Sequence, residues 1–553
     1  MVRWVCPRSS SLLPQEVMLL RVFIALLTFV HIGIAAPSAR NSPVVNLGYS
    51  TYEGTALNNG QNEFLGLRFA APPLGNLRFR KPAPPLVTKG VQSAKQFGSV
   101  CFGVGQGVAT GLSEDCLFLN LWAPADATPK SKFPVFFWIQ GGGYCVDSNA
   151  NYNGSELIQS TGNNMIFIGI NYRVGPFGFL ASEKVRENGD LNAGMLDQRM
   201  ALEWIQQHIT TFGGDPNRVV LIGDSAGAGS VAMHMVAFGG APTNLFAGGF
   251  GISPYFPAQF RVSELEWQFN LFASEAGCGS AADALACLRS QNSTTLQTAN
   301  TPMAFPGRTN PALFAFSPSV DGVFLTDFPI RLFEQGKFVK VPAIFGDDTN
   351  EGTVFAANAS SAAAVASFMM DQFPQLSEKD TDTINALYPL ETPNPFLNHA
   401  PFFASAAAAY GEFTFTCPGL LISSMIAQHN NIWNYRFNVL TPAEITAGIG
   451  VSHTSELPNV FGPGNTPAGS SIATFDFDDI SLTPILQAYY TSFIRDLDPN
   501  IHTVKGSVFW PQFNSFTNKR ILLQVNATTV ETVPQSQLAR CNVWKGLALK
   551  MEE

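Results

Sequence analysis

Charge is scarce in this chain. Asp, Glu, Lys and Arg together make up 13% of its 553 residues, and the acids outnumber the bases by 41 to 32. A formal charge of -9 with no run of Lys or Arg excludes a surface built to neutralise a phosphate backbone, so no nucleic-acid partner is expected. Metal-binding spacings are missing as well: without a CxxC pair or an HExxH, neither a metal site nor a cofactor is expected. No internal repeat, no block of like charge and no Gly/Ser/Pro-rich linker divides the chain, which leaves a single domain over residues 40–553. What is abundant fits that domain. With 46% hydrophobic residues, 48 Gly and 37 Pro, the chain can bury a large core and turn often, as a globular enzyme does.

Long apolar runs are confined to the start. From Met18, MLLRVFIALLTFVHIGIAAPSA has one basic residue, an apolar stretch from Phe23 to Ile34, and small residues at Ala35, Ala36 and Ala39 that suit cleavage. Residues 1–39 therefore read as a signal peptide, with 1–17 either a long n-region or an upstream extension. The alternative, an N-terminal anchor, is permitted by the apolar length; no later stretch is long enough to span, so no stable membrane insertion is expected. Export implies a secreted, extracellular protein in an oxidising compartment. Of eight cysteines, Cys6 leaves with the signal, and the odd remainder means at least one free thiol. Cys101 with Cys116 and Cys278 with Cys287 bracket short loops and are candidate local disulfides, each closure contributing about 2 to 3 kcal/mol. Among Cys145, Cys417 and Cys541 the sequence does not say which is free. Sequons at Asn153, Asn292, Asn358 and Asn526 fit a glycosylated surface. Nothing signals an oligomeric state.

Short apolar runs bounded by turn residues occur at 135–139, 166–170, 219–222 and 341–345, the pattern of parallel strands buried on both faces. Leu196, Met200, Trp204 and Ile205 recur at helical spacing before FGGDP and predict a covering helix. Trp433, Tyr435, Phe437 and Val439 alternate with polar residues and predict a half-buried strand. The expected class is therefore α/β, a large mostly parallel sheet with helices on both faces.

Candidate chemistry falls beyond the carboxyl ends of those strands, where open α/β sheets place it. Gly223-Asp224-Ser225-Ala226-Gly227 is a GxSxG between a β-branched run and a helical segment, and glycines on both flanks permit the sharp turn that presents a nucleophile. After another apolar run, Gln140-Gly141-Gly142-Gly143 can aim backbone N–H groups at a developing oxyanion, with Ala226 N–H completing the hole. Serine needs a base, most often histidine. His31 leaves with the signal, His208 precedes the serine, and His234 lies roughly 13 Å along the serine's own helix. His399, His429, His453 and His502 remain; His453 stands out in the glycine-rich AGIGVSHTSELPNVFG, and position alone does not decide. For the acid, Asp347, Asp348 and Glu351 in GDDTNEG all compete.

At these residues the chain resembles the type-B carboxylesterase/lipase family, the cholinesterase-like α/β-hydrolases, closest in character to secreted fungal lipases and esterases. FGGDPNRVVLIGDSAG is similar to the family's nucleophile signature and EDCLFLNLWAP to its second. The likeness runs from about Gly48 to Trp544. It implies Ser225, Glu351 and His453 as the catalytic residues, Gly142, Gly143 and Ala226 as the oxyanion hole, and a lid or gorge wall opening at the first cysteine pair. Departures qualify this. The short segment 102–115 contains no Trp to hold a quaternary ammonium, which argues against choline esters and leaves little material for a helical lid. Asp224 stands where the family usually has Glu, and Gln140 where many hydrolases carry His. Gly103, Gly105 and Gly107 follow no strand and open no helix, so they read as flexible wall rather than a nucleotide loop.

The resemblance implies an esterase or lipase acting through an acyl-enzyme on small-molecule or lipid esters, from short aryl to sterol or carotenoid esters. Phe is plentiful, 46 residues against 11 Tyr, and those between Phe368 and Phe415 line either an acyl pocket or plain core. An acyltransferase would use the same residues. A non-catalytic binding relative would not retain all of them. A neutral imidazole as base predicts activity falling below roughly pH 6.5.

Overall fold

Runs such as Phe136-Phe137-Trp138 have no polar face, so they are stable only where helices cover both sides of a sheet. A computed structural model of the chain has that arrangement, with residues 41–147, 150–396, 398–466 and 479–553 described. The segment read as a signal lies outside the described residues. Ser42–Glu553 coheres as one compact unit.

Among the described residues, eleven strands form the main sheet. In chain order they are β1 (Thr55–Ala56), β2 (Gln61–Arg68), β3 (Phe118–Pro124), β4 (Phe133–Ile139), β5 (Ile166–Ile170) and β6 (Gly214–Asp224). They continue as β7 (Gly248–Ile252), β8 (Ala343–Asp348), β9 (Ile432–Phe437), β10 (Lys519–Leu523) and β11 (Thr529–Thr532). Across the sheet the order is β11-β10-β9-β8-β7-β6-β4-β5-β3-β2-β1. Neighbours from β10 to β5 are parallel, and the pairs at both margins are antiparallel. The mostly parallel, doubly covered sheet read from the sequence is the one observed.

Successive strand residues point to opposite faces and enter two separate cores. Val135, Phe137, Ile139, Val219 and Leu221 face one side, with α1 (Ala193–His208), α2 (Ala226–Gly240), α3 (Phe403–Gly411) and α4 (Cys417–Ile426) contributing to the same core. Phe136, Trp138, Val220 and Ile222 face the other, packed against Leu486, Tyr490 and Phe493 of α5 (Thr483–Asp496). In the predicted covering helix, Trp204 and Ile205 are buried, while Leu196 and Met200 only border the core.

One sequence expectation needs correction, and one strand was not anticipated. β9 is not half-buried: Asn434 is 1% exposed, because the strand lies inside the sheet with both faces covered. Polar groups on it find partners inside the protein, Asn434 Nδ2 donating to Ser423 Oγ and Arg436 pairing with Glu531. β7, GGFGI, carries no strand signal in its sequence. Its glycines answer to packing. A Cβ at Gly249 would lie 3.1 Å from Val231 of α2, and one at Gly251 would lie 2.5 Å from the Phe345 ring of β8.

The strand order reverses at β4, whose neighbours are β5 and β6. Ligand crevices in open α/β sheets form at such a switch, outside the carboxyl ends. The Gly-rich turn leaves β4 there, and Ser225 leaves β6 beside it.

Candidate active site

Ser225 sits between β6 and α2 with φ 54° and ψ -122°, a conformation that a non-glycine residue holds only when its surroundings over-determine it. They do. Its N–H donates to Ile252 O at 2.8 Å, and its carbonyl accepts from Gly229 and Tyr255. A Cβ at Gly227 would come 2.0 Å from Ile139 O, and one at Gly223 would come 2.5 Å from the Gly227 carbonyl carbon. The flanking glycines are therefore a condition of the turn. Opposite them, a Cβ at Gly141 would lie 2.8 Å from Ser225 Cβ, so the turn after β4 closes directly onto the serine.

That turn is fixed from below. Asp224 Oδ1 accepts the Gly141 N–H at 2.9 Å, and Gly142 O accepts from Cys145 and Val146. With Gly141 committed, Gly142 (φ 114°) and Gly143 (φ 60°) are the turn's remaining candidates for an oxyanion. Ala226 opens α2, so its N–H belongs to the first turn, which has no intrahelical acceptor. Burial pushes the Asp224 carboxyl up to about 8, so it is mostly protonated at neutral pH. Gln140, in the place where many hydrolases carry His, is wholly buried.

His453 is 9% exposed, and its Nδ1 lies 2.5 Å from Glu351 Oε2, a carboxylate 3% exposed on the turn after β8. Glu351 Oε1 accepts Asp348 N–H at 2.7 Å. His453 Nε2 has no hydrogen-bond partner among the described residues. The competing acids are engaged elsewhere: Asp347 with Arg520 and Thr416, Asp348 with the Ser455 N–H. Burial raises Asp347 to about 6. The other histidines have different surroundings. His399 stacks on Phe403, His429 packs against Phe338, and His502 pairs with exposed Asp496. His234 is buried against Gln198, and burial depresses its pKa to about 3.

Aromatic rings connect the two halves. Phe415 and Phe355 lie 4.4 and 5.0 Å from the His453 ring, and Phe355 stacks on Phe415 at 5.5 Å. Tyr255 contacts both Phe415 and Phe314, and a Cβ at Gly143 would be 2.1 Å from Phe314. The wall thus runs from the candidate oxyanion turn to the histidine. Phe415 belongs to Glu412–Thr416, a π-helical turn joining α3 to α4; such turns often mark functional sites. Phe368 and Phe373 instead pack on Tyr410, as core. The sequence did not single out Phe314, Tyr255 or Phe355, which have no local pattern. A cavity of about 440 Å³ lies against Glu351, Gly352, Ala407 and Gly450, and one of about 790 Å³ lies between Ser155–Ser160 and α5; Ser225 lines neither.

Cys101–Cys116 and Cys278–Cys287 are bonded. Cys417–Cys541 is a third bridge, and among the described residues Cys145 is the free, buried thiol. Segment 102–115 contains no helix, and the part read as flexible wall is tied down: Gln297 Nε2 donates to Gly103 O and Gln106 O, and Gly105 N–H to Asn300 O. Among the described residues no helix is long and apolar enough to cross a membrane.

A doubly covered parallel sheet with a strained serine between strand and helix defines the α/β-hydrolase class. The carboxylesterase family model matches residues 41–544. The chain is 33% identical over 507 residues to secreted lipase 1 of Botryotinia fuckeliana, covering 82% of this chain and 84% of that protein. It is 31% identical over 525 residues to lipase 2 of Geotrichum candidum, covering 85% and 89%. The crystal structure of Aspergillus niger EstA superposes with a TM-score of 0.89 at 45% identity, covering 93% of this chain and 99% of that one. The protein belongs to the carboxylesterase family and is a carboxylic ester hydrolase.

Proposed function

We propose that Ser225 is the nucleophile, His453 its general base, and Glu351 the carboxylate that holds the imidazole, with Gly142, Gly143 and Ala226 N–H groups receiving the oxyanion. The observation that carries this is the buried 2.5 Å pairing of His453 Nδ1 with Glu351 Oε2, which fixes the tautomer and leaves Nε2 to take a proton. Nucleophile-to-base hydrogen bonds often tighten only with substrate in place.

His453 takes the Ser225 hydroxyl proton as Oγ bonds to the carbonyl carbon, and the carbonyl electron pair moves onto the oxygen facing the three N–H groups. Each such donor contributes roughly 100- to 1000-fold in rate. Collapse breaks the bond to the alcohol oxygen, which receives the proton from His453. Water then repeats the sequence on the acyl-enzyme and releases the acid.

The wall of Phe314, Tyr255, Phe355 and Phe415 favours esters with apolar acyl or alcohol parts, from short aryl esters to lipid, sterol or carotenoid esters. Residues 40–553 act as one catalytic domain, exported under the 1–39 signal. The disulfides support export, and so does a relative named as a secreted lipase. Asn292, Asn358 and Asn526 are exposed and Asn153 half-buried, as glycan acceptors can be.

A chain-length series of chromogenic esters, run with Ser225→Ala as control, tests the reading. Activity lost by about a million-fold in the control is expected; an active S225A would overturn it. Adding an alcohol acceptor and measuring ester against free acid separates hydrolysis from acyl transfer.

A further inference from the structure

Two buried acids beside the proposed triad have no part in the steps above. Asp348 ends β8 and is 1% exposed; Glu456 leads into helix Leu457–Phe461 and is fully buried. Their carboxyls lie within hydrogen-bonding reach of each other. Asp348 Oδ2 already accepts from Ser455 N–H at 3.1 Å and Ser253 Oγ at 3.4 Å, and Glu456 Oε1 accepts from the Tyr435 hydroxyl at 2.8 Å. Asp348 Oδ1 and Glu456 Oε2 are left, buried and without another partner among the described residues. Two carboxylate oxygens, both acceptors, bond only if one carries a proton.

The pair occupies a mechanical position. The Asp348 N–H holds Glu351 Oε1 while its side chain holds the N–H of Ser455, two residues past His453. Glu456 extends the same turn. On its far side Glu444 Oε1 accepts from Ser452 N–H at 2.7 Å and Ser452 Oγ at 2.8 Å. The acid loop and the histidine turn are thus joined by a contact separate from the His453–Glu351 bond.

We propose that Asp348 and Glu456 share one proton and serve as positioning residues for His453, tying its turn to the Glu351 loop at a total charge of minus one. This rests on the reading of His453 as base and Glu351 as acid. Burial pushes both carboxyls upward, which favours a proton held between them. Glu351, Glu444 and Asp224 are the other acids that act on the pair, and Tyr435 and Tyr490 are the phenols. Arg520, the buried cation of this region, is paired with Asp347 and Glu531. A second negative charge on the pair would favour the imidazolium and remove base at neutral pH.

The test is the pH profile of kcat for the full chain on a soluble chromogenic ester. Glu456→Gln places an amide N–H where the shared proton was and keeps the charge at minus one. Its kcat is expected to stay within about threefold of wild type, with the acid limb unmoved. Glu456→Ala leaves Asp348 unpaired and should lower kcat at least about 10-fold with little change in KM. The double variant D348N/E456Q removes the remaining charge and should move the acid limb to lower pH. An acid limb displaced downward in E456Q alone would mean that the pair was a dianion and overturn the proposal, as would an E456A enzyme with wild-type kcat. If E456A does not fold, the E456Q limb decides. His453→Ala separates the premises: residual activity there sinks the base assignment, whatever the pair does.

Discussion

Around Ser225 the chain fits by omission of side chains; around His453 it fits by hydrogen bonds among buried acids, serines and one imidazole. At the serine, Gly141, Gly223 and Gly227 each stand where a Cβ would overlap backbone or a neighbouring side chain. At the histidine, Glu351, Glu444, Asp348 and Glu456 come from three separate stretches of chain and meet through oxygens. Shape fixes the proposed nucleophile and polar pairing fixes the proposed base. The first tolerates no added volume, and the second no unmatched charge or lost donor.

The contrast is sharpest at Glu351. Glu351→Gln keeps the volume but presents a donor to Nδ1 or forces the wrong tautomer; kcat should fall about 10,000-fold with the thermal midpoint little changed. A loss of only a few fold would break the polar half of the account. Gly227→Ala is the steric counterpart. Its Cβ would meet Ile139 O at 2.0 Å, so about 3 kcal/mol or more of stability is expected to go, together with activity. Gly546→Ala is its control, in a helix with nothing within 4 Å, and should be neutral or stabilising by a few tenths of a kcal/mol or more. Equal behaviour in urea denaturation would remove the steric argument.

Asp224 belongs to both halves, since it braces the Gly141 turn with a buried carboxyl. Its pKa is raised from 3.8 to about 8, so between those values the folded state binds a proton that the unfolded state does not. Its contribution is present in full below about pH 4 and is lost as pH rises through about 8. Unfolding free energy should therefore decline over that window in wild type and decline less in Asp224→Asn; parallel curves would contradict the assignment. The smallest effect is expected at Ser452→Ala, which removes the Oγ bond to Glu444 at 2.8 Å. About 1.5 kcal/mol of stability should be lost, with kcat reduced more than KM is raised.

The serine half was legible because it is contiguous: strand, GxSxG and helix follow one another, and QGGG directly follows β4. The histidine half is assembled across the chain. Composition and spacing leave three acids and four histidines open, and the likeness to a family, not the residues alone, favours Glu351 and His453. Asp348 was read only as a competitor for the acid role, and Glu456 was not read at all, although a glutamate three residues after the histidine is visible in the sequence. β7 was missed because glycine there answers to a helix and a ring packed on it, which local propensity does not register. The polar residues of β9 suggested solvent where there is an internal partner. Cys417 and Cys541 lie 124 residues apart, too far for local spacing to pair them.

The central claim, that one strained serine carries the acyl group, is tested most directly by titrating the enzyme with a slowly turned-over carbamate or phosphonate ester and mapping the adduct by peptide mass spectrometry. One equivalent on Ser225, formed as activity disappears and greatly slowed in His453→Ala, is the predicted result. Full inactivation with Ser225 unmodified, or an adduct on another residue, would contradict it.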